Sequence, residues 1–253
     1  AKEDLFDGID LTWKRIQGGE PIGKALDEIL SQFDFKSPSK SVKSLIEVYK
    51  AIEKTPESIY KTNKLSECLN LILACSGIYC EANAATNMIS PGQTLKVFAT
   101  AVNRSNLDVK IENFKIYGAA SKDSVLSKSL TYNKSIDFAV DTKIPTNAAI
   151  TQPYWLNEKP DKGIYKVQEE KFRGLPMAPD ALWAEFTLNI LGESLKYTHP
   201  IKYKYTEPSI GEIYKYLEIR PEIMLNLDQK VYIFADNKPK KVGVMVKSNI
   251  ANN

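Results

Sequence analysis

Between Pro91 and Gly118 the apolar residues change parity, and that slip narrows the folds open to the chain. After a Pro91-Gly92 turn, Leu95, Val97, Ala99 and Ala101 alternate with more polar neighbours, and Asn103-Arg104-Ser105-Asn106 supplies turn chemistry. A second run carries Leu107, Val109 and Ile111 at odd positions, then Phe114 and Ile116 at even ones. Side chains on a strand alternate strictly between its faces. One extra residue near Glu112-Asn113 is therefore needed to keep both sets on one face, which predicts a β-bulge. Two period-two runs split by a turn cluster predict an antiparallel hairpin here, opening a β-sandwich.

Further strands follow. Ser121 to Lys134 is polar and reads as a loop or a weak strand, and Ile136, Phe138, Val140 and Ile144 resume the alternation. Leu182, Ala184, Phe186, Leu188 and Ile190 alternate cleanly up to a turn at Gly192-Glu193. The return strand puts Leu195, Tyr197, His199, Ile201, Tyr203 and Tyr205 on one face, a second hairpin with one side buried. Pro200 has no N–H for a ladder, so this strand is expected at a sheet edge or with a bulge there. From Pro221 the pattern restarts with Leu225, Leu227, Val231 and Ile233, a turn at Asp236 to Pro239, then Val242, Val244 and Val246. One hairpin is too little to bury its own core, so residues 221–253 read as the start of a further β unit or a docked hairpin.

The N-terminal third has a different period. Pro21 at a first helical turn, then Ile22, Leu26, Ile29, Leu30 and Phe33, predict an amphipathic helix. Ser39 or Ser41 caps a second helix with Val42, Leu45, Ile46, Tyr49 and Ile52 as its stripe. Thr55-Pro56-Glu57 opens a third, broken near Thr62-Asn63, running through Leu65, Leu69, Ile72, Cys75 and Tyr79 to about Ala85. Three helices on short links make a small bundle. Ahead of them Leu5, Phe6, Ile9 and Trp13 read as anchors, and Asp4, Asp7 and Asp10 as solvated or capping residues rather than a metal cluster.

At 253 residues, 43% hydrophobic and 26% charged, the chain has an ordinary globular composition. A net charge of +3 is small, and Arg15, Arg104, Arg173 and Arg220 are its only arginines. Without an arginine cluster to fork phosphates or guanine edges, nucleic acid is not an expected partner. No apolar run approaches the length of a membrane span. Cys68, Cys75 and Cys80 match no zinc spacing and, being odd in number, form no closed disulfide set, so inert core thiols are expected. A chain beginning at Ala1 is expected to be a processed product or an excised fragment.

Catalytic chemistry is sparse. With His199 as the single histidine, sites built on two or three histidines are excluded, and its place among buried-face tyrosines reads as a packed core residue. No G-x-S-x-G elbow, Walker loop or G-x-G-x-x-G follows a strand. Glu169-Glu170 lies on a polar loop, and Asn103-Arg104-Ser105 and Asn133-Lys134-Ser135 are formal glycosylation sequons of little weight. No cofactor or metal is expected. Tyr154 and Trp155 stand out, in a proline-flanked loop with Gln152 and Asn157 beside them. A flat ring can carry the C–H side of a sugar while the amides hold its hydroxyls; the rival role for Trp155 is a plug in the sandwich core.

Several stretches resemble a known family. Phe6-Asp7-Gly8-Ile9-Asp10, Trp13, Gly18-Gly19 and Ile22-Gly23 resemble the region after the catalytic domain in long PIG-L/LmbE-type N-acetylglucosaminyl deacetylases. Thr151-Gln152-Pro153-Tyr154-Trp155-Leu156, Gly174 to Pro176, Glu207-Pro208 and Gly211-Glu212 resemble the β region further along those proteins. The section from Pro91 to Pro145 is similar to Ig-like modules appended to glycan-active enzymes. The family's zinc motif, Ala-His-Pro-Asp-Asp-Glu with a later His-x-x-His, is absent from these residues, so no catalytic residue carries over. The resemblance implies a non-catalytic accessory region, with the catalytic domain of the parent chain upstream as its partner and N-acetylglucosamine-containing glycan as its contact. The alternative is an independent β-sandwich module that binds protein or a small molecule. The expected fold class is α+β: a small N-terminal helical bundle over residues 1–86, then an Ig-like antiparallel β-sandwich over 90–220.

Overall fold

The computed structural model describes residues 5–250, so Asp4 lies outside the described residues. The fold is mixed α+β. Three α-helices come first among those residues: α1 (Glu20–Ser31), α2 (Val42–Glu53) and α3 (Ile59–Ser76). Pro21 sits in the first turn of α1, where its missing N–H costs no helical bond. Ser41 is the residue before α2, without a side-chain cap bond. Ser58 caps α3 by accepting a hydrogen bond from the Lys61 N–H at 3.1 Å, and the helix runs unbroken through Thr62-Asn63.

Helix α3 ends well short of Ala85. Gly77 takes φ +64°, a left-handed conformation that favours glycine, and turns the chain into strand β1 (Ile78–Ala84). The helical spacing through Tyr79 is thus a coincidence of pattern. Ile78, Cys80, Ala82 and Ala84 form an alternating buried set, and tertiary pairing overrides local periodicity.

Strands β2 (Met88–Ile89), β3 (Thr94–Asn103), β4 (Val109–Gly118), β5 (Lys122–Ser129) and β6 (Ser135–Lys143) follow. After a long loop come β7 (Leu182–Ile190), β8 (Glu193–Pro200), β9 (Lys202–Glu207), β10 (Gly211–Lys215) and β11 (Glu218–Ile219). One sheet has the order β10-β9-β1-β3-β6 and a second β5-β4-β7-β8, with β2 and β11 forming a short parallel pair. The two large sheets meet in a layered, sandwich-like arrangement. Phe114 on β4 makes edge contacts with Phe186 in its own sheet at 5.0 Å and with Phe138 in the other at 5.1 Å.

The expected bulge is present: the register of β4 against both β5 and β7 shifts between Ile111 and Asn113. The expected hairpin of β3 and β4 is not. They belong to different sheets, and the Asn103-to-Asn106 turn is an arch between layers. Asn103 pins that arch. Its fully buried side chain donates to the Leu107 and Leu130 carbonyls at 3.0 and 3.2 Å and accepts from the Ser105 N–H at 3.0 Å.

The second hairpin, β7 to β8, forms as expected. Leu191 and Gly192 are its turn, both with positive φ. β8 lies at the sheet edge, as Pro200 requires. Of the N-terminal anchors only Trp13 packs, edge-on to Tyr60 at 5.8 Å; Leu5, Phe6 and Ile9 are exposed. Asp10 accepts hydrogen bonds from the Thr12 N–H and hydroxyl at 2.8 and 2.7 Å. At the far end β12 (Ile223–Leu227) and β13 (Val244–Ser248) pair with each other, leaving Leu225, Leu227, Val244 and Val246 exposed.

One buried cluster runs from Ile22, Ile52 and Ile72 in the helices through Ile78 into both large sheets. Calorimetry is therefore expected to give a single transition, and Phe114→Ala to move all of it, at a cost of about 3–5 kcal/mol. Two well-separated transitions would show that helices and sheets do not share a core.

Candidate functional site

Pro200 ends the pairing of β8 with β7 opposite Trp183, and two residues later Lys202 pairs in parallel with Asn83 of β1. The strand thus passes from one large sheet to the other. The long loop before β7 folds over this crossing and is clamped there. The Thr151 N–H donates to the Ile219 carbonyl, and the Ile219 N–H to Thr151 Oγ1, both at 3.0 Å.

Beyond that clamp Pro153 starts a short 3₁₀ turn at Tyr154–Leu156. The turn sets Trp155 into the wall of a cleft of about 310 Å³. Thr151, Gln152 and Pro153 line the same wall, Met177 to Ala181 the next, and Tyr216, Leu217 and Glu218 the third. Trp155 is half-buried, its ring edge-on to Tyr154 at 4.9 Å. It borders an open cleft and does not plug the core between the sheets.

Of the four residues singled out from sequence, the structure brings two into the cleft. Gln152 and Trp155 line it. Tyr154 turns the other way: its hydroxyl donates to the Leu175 carbonyl at 3.0 Å and its ring lies 6.1 Å from Phe172, joining the two ends of the loop. Asn157 accepts a hydrogen bond from Gln152 Nε2 at 3.0 Å and lines a separate cavity of about 130 Å³ with Tyr154 and Phe172.

Asp180 and Tyr216 complete the cleft, and no motif marks either of them. The Asp180 side chain is 13% exposed, and its Oδ1 has no hydrogen-bond partner. Lys202 Nζ stands 3.9 Å from that oxygen, near enough to attract it and too far to bond. Burial pushes the carboxyl up from its ordinary range, with Lys202 and His199 pulling the other way. The same Lys202 ammonium lies over the Tyr216 ring, 4.5 Å from its centre. Glu218 is held by Arg220 at 2.5 Å.

A second polar cluster lies on the outer face of β1. Glu81 is nearly buried and accepts hydrogen bonds from Tyr214 at 2.7 Å and from Lys204 at 3.0 Å. Burial alone would raise its carboxyl, but bonds from Tyr214, Lys204, Asn83 and Tyr79 outweigh it and hold the group below the usual range. Glu212 and Glu81 in turn raise Lys204. His199 is lowered by burial, which favours the neutral ring, and its Nδ1 is unpartnered. Burial pushes the Cys68 and Cys80 thiols up to about 11 and about 12, away from reactive thiolates. Among the described residues no group of three or more His, Cys, Asp or Glu is placed to hold a metal ion, and no helix is long and apolar enough to cross a membrane.

No family model matches the chain, and no curated protein matches it. Among solved structures it is similar to Spo0M, the sporulation control protein from Bacillus subtilis, at 10% identity and TM-score 0.30, over 59% of this chain and 57% of that one. It is also similar to the Pseudomonas fluorescens alkylpurine DNA glycosylase AlkC bound to DNA containing an abasic site analog, at 11% identity and TM-score 0.26, over 70% and 50% of the two chains. The chain spans little more than half the length of either protein. Overlaps this loose carry no functional argument.

Glu81 supplies a test of the electrostatics. Its carboxyl is lowered by folding, so the stability it contributes is complete above its unfolded value and is lost as pH falls through the folded one. Glu81→Gln is expected to cost about 1–3 kcal/mol at neutral pH, with the gap to wild type closing as the solution is acidified below the ordinary carboxylate range. A gap that does not change with pH would mean that the charge on Glu81 is not what stabilises this face.

Proposed function

We propose that this chain is a non-catalytic accessory region of a PIG-L/LmbE-like deacetylase protein, an Ig-like sandwich that contacts N-acetylglucosamine-containing glycan at the Trp155 cleft. The observation that carries the reading is the meeting of Trp155 and Gln152 with Asp180 and Tyr216 around one cleft of about 310 Å³. That size suits a small ligand or one end of a larger one. A sugar presents a C–H face and a rim of hydroxyl and amide groups. The indole offers the first a flat apolar surface, and Gln152 and Asp180 offer the second donors and an acceptor. A loop held at both ends on a rigid scaffold is a common place for such a site. Family and substrate rest on the resemblance of Thr151 to Leu156 and the flanking motifs.

The partner in this reading is a catalytic domain upstream in the parent chain. Leu30, Phe35 and Ile59 are exposed on the helical side and offer it an apolar surface. The apolar lining of the cleft also suits an independent module for some other small molecule, and one experiment separates the two.

Trp155→Ala is expected to abolish retention on an N-acetylglucosamine-containing polymer while lowering stability by no more than about 1 kcal/mol, as for a half-exposed loop residue. Wild-type protein that is not retained, or a variant retained as well as wild type, would overturn the glycan reading. A loss of about 3–5 kcal/mol would return Trp155 to the role of a core plug.

A further inference from the structure

The Trp155 cleft does not end at Tyr216. Lys202, whose ammonium covers the Tyr216 ring, is the register partner of Asn83 on β1, and Asn83 is the register partner of Phe98 on β3. Lys202, Asn83 and Phe98 therefore form one row across three neighbouring strands of the five-stranded sheet, roughly 10 Å long at the usual strand spacing of about 4.8 Å. They share the outer face, because the inward set of β1 is Ile78, Cys80, Ala82 and Ala84 and that of β3 is Leu95, Val97, Ala99 and Ala101.

Phe98 ends the row 50% exposed, a large apolar ring on an open sheet face. Between it and Lys202, Asn83 Oδ1 is buried with no hydrogen-bond partner. A second orphan acceptor, Asp180 Oδ1, lies at the cleft end of the same path. Flat rings thus alternate with unspent hydrogen-bonding groups from Trp155 out to Phe98. The lysines along the way are answered by carboxylates, Lys202 by Asp180 and Lys204 by Glu81 and Glu212. The strip therefore carries no excess of positive charge to attract a polyanion, and its cations are already placed against a polycation.

We propose that the cleft and this row are one track for a neutral saccharide chain, with one ring in the cleft beside Trp155 and later rings passing over Lys202 and Asn83 to Phe98. The proposal rests on the glycan reading of the cleft and adds to it that the ligand is a chain rather than a single sugar.

Calorimetric titration with N-acetylglucosamine and with its linear trimer and hexamer tests it. Affinity is expected to rise by about tenfold or more from monomer to hexamer, and Phe98→Ala to remove most of that rise while leaving monomer affinity unchanged. Phe98→Thr, a residue well suited to strands, repeats the test should the alanine variant not fold. Monomer and hexamer binding alike, or a hexamer gain untouched by both variants, would overturn the track and leave the cleft standing. Binding of none of the three sugars by wild type would remove both readings.

Discussion

At Pro200 an extended run of chain leaves one sheet and enters the other, and the rest of the site depends on that crossing. Proline has no N–H, so β8 cannot continue its ladder along β7 past the Trp183 pair. The next N–H, from the fully buried Ile201, is spent on the Leu182 carbonyl at 2.9 Å. Lys202 is then free to align beside Asn83, and β9 takes a parallel place next to β1. This swings Lys202 between Asp180, which precedes β7, and Tyr216, which follows β10.

The two half-hidden carboxylates near this crossing have opposite fates. Glu81 has gathered several hydrogen-bond donors, and they hold it charged against the cost of burial. Asp180 has one lysine at ion-pair distance and an oxygen without a partner, so burial prevails and the carboxyl rises. Glu81 is thus fully committed to the fold, whereas Asp180 keeps acceptor capacity that a ligand's hydroxyl or amide can use. A neutral hydrogen-bonding ligand suits such a group better than a second cation, because Lys202 already supplies the positive charge.

Much of the β architecture was legible in the residues, and the misses have a common cause. Parity alone located the bulge between Ile111 and Asn113, and the missing N–H of Pro200 predicted an edge. Alternation says which residues face inward but not which strand lies alongside, so β3 and β4 read as a hairpin when they face each other across an arch. Ile72, Cys75 and Tyr79 kept a helical spacing past the true end of α3; Gly77 was the signal that ends it. At the site, Gln152 and Trp155 were visible as an aromatic-amide pair in a proline-flanked loop. Asp180 and Tyr216 were not, because they reach the cleft only through long-range pairing that no local motif encodes.

The central claim, that the Trp155 cleft is the ligand site, is tested most directly by the indole N–H signals of the three tryptophans in a nuclear magnetic resonance titration with the N-acetylglucosamine hexamer. Trp13 packs against Tyr60 and Trp183 lies on β7 opposite Pro200, so both report on the fold away from the cleft lining. The account predicts a saturating shift at Trp155 with Trp13 unmoved and Trp183 nearly so. A Trp155 signal that stays in place through the titration would contradict it.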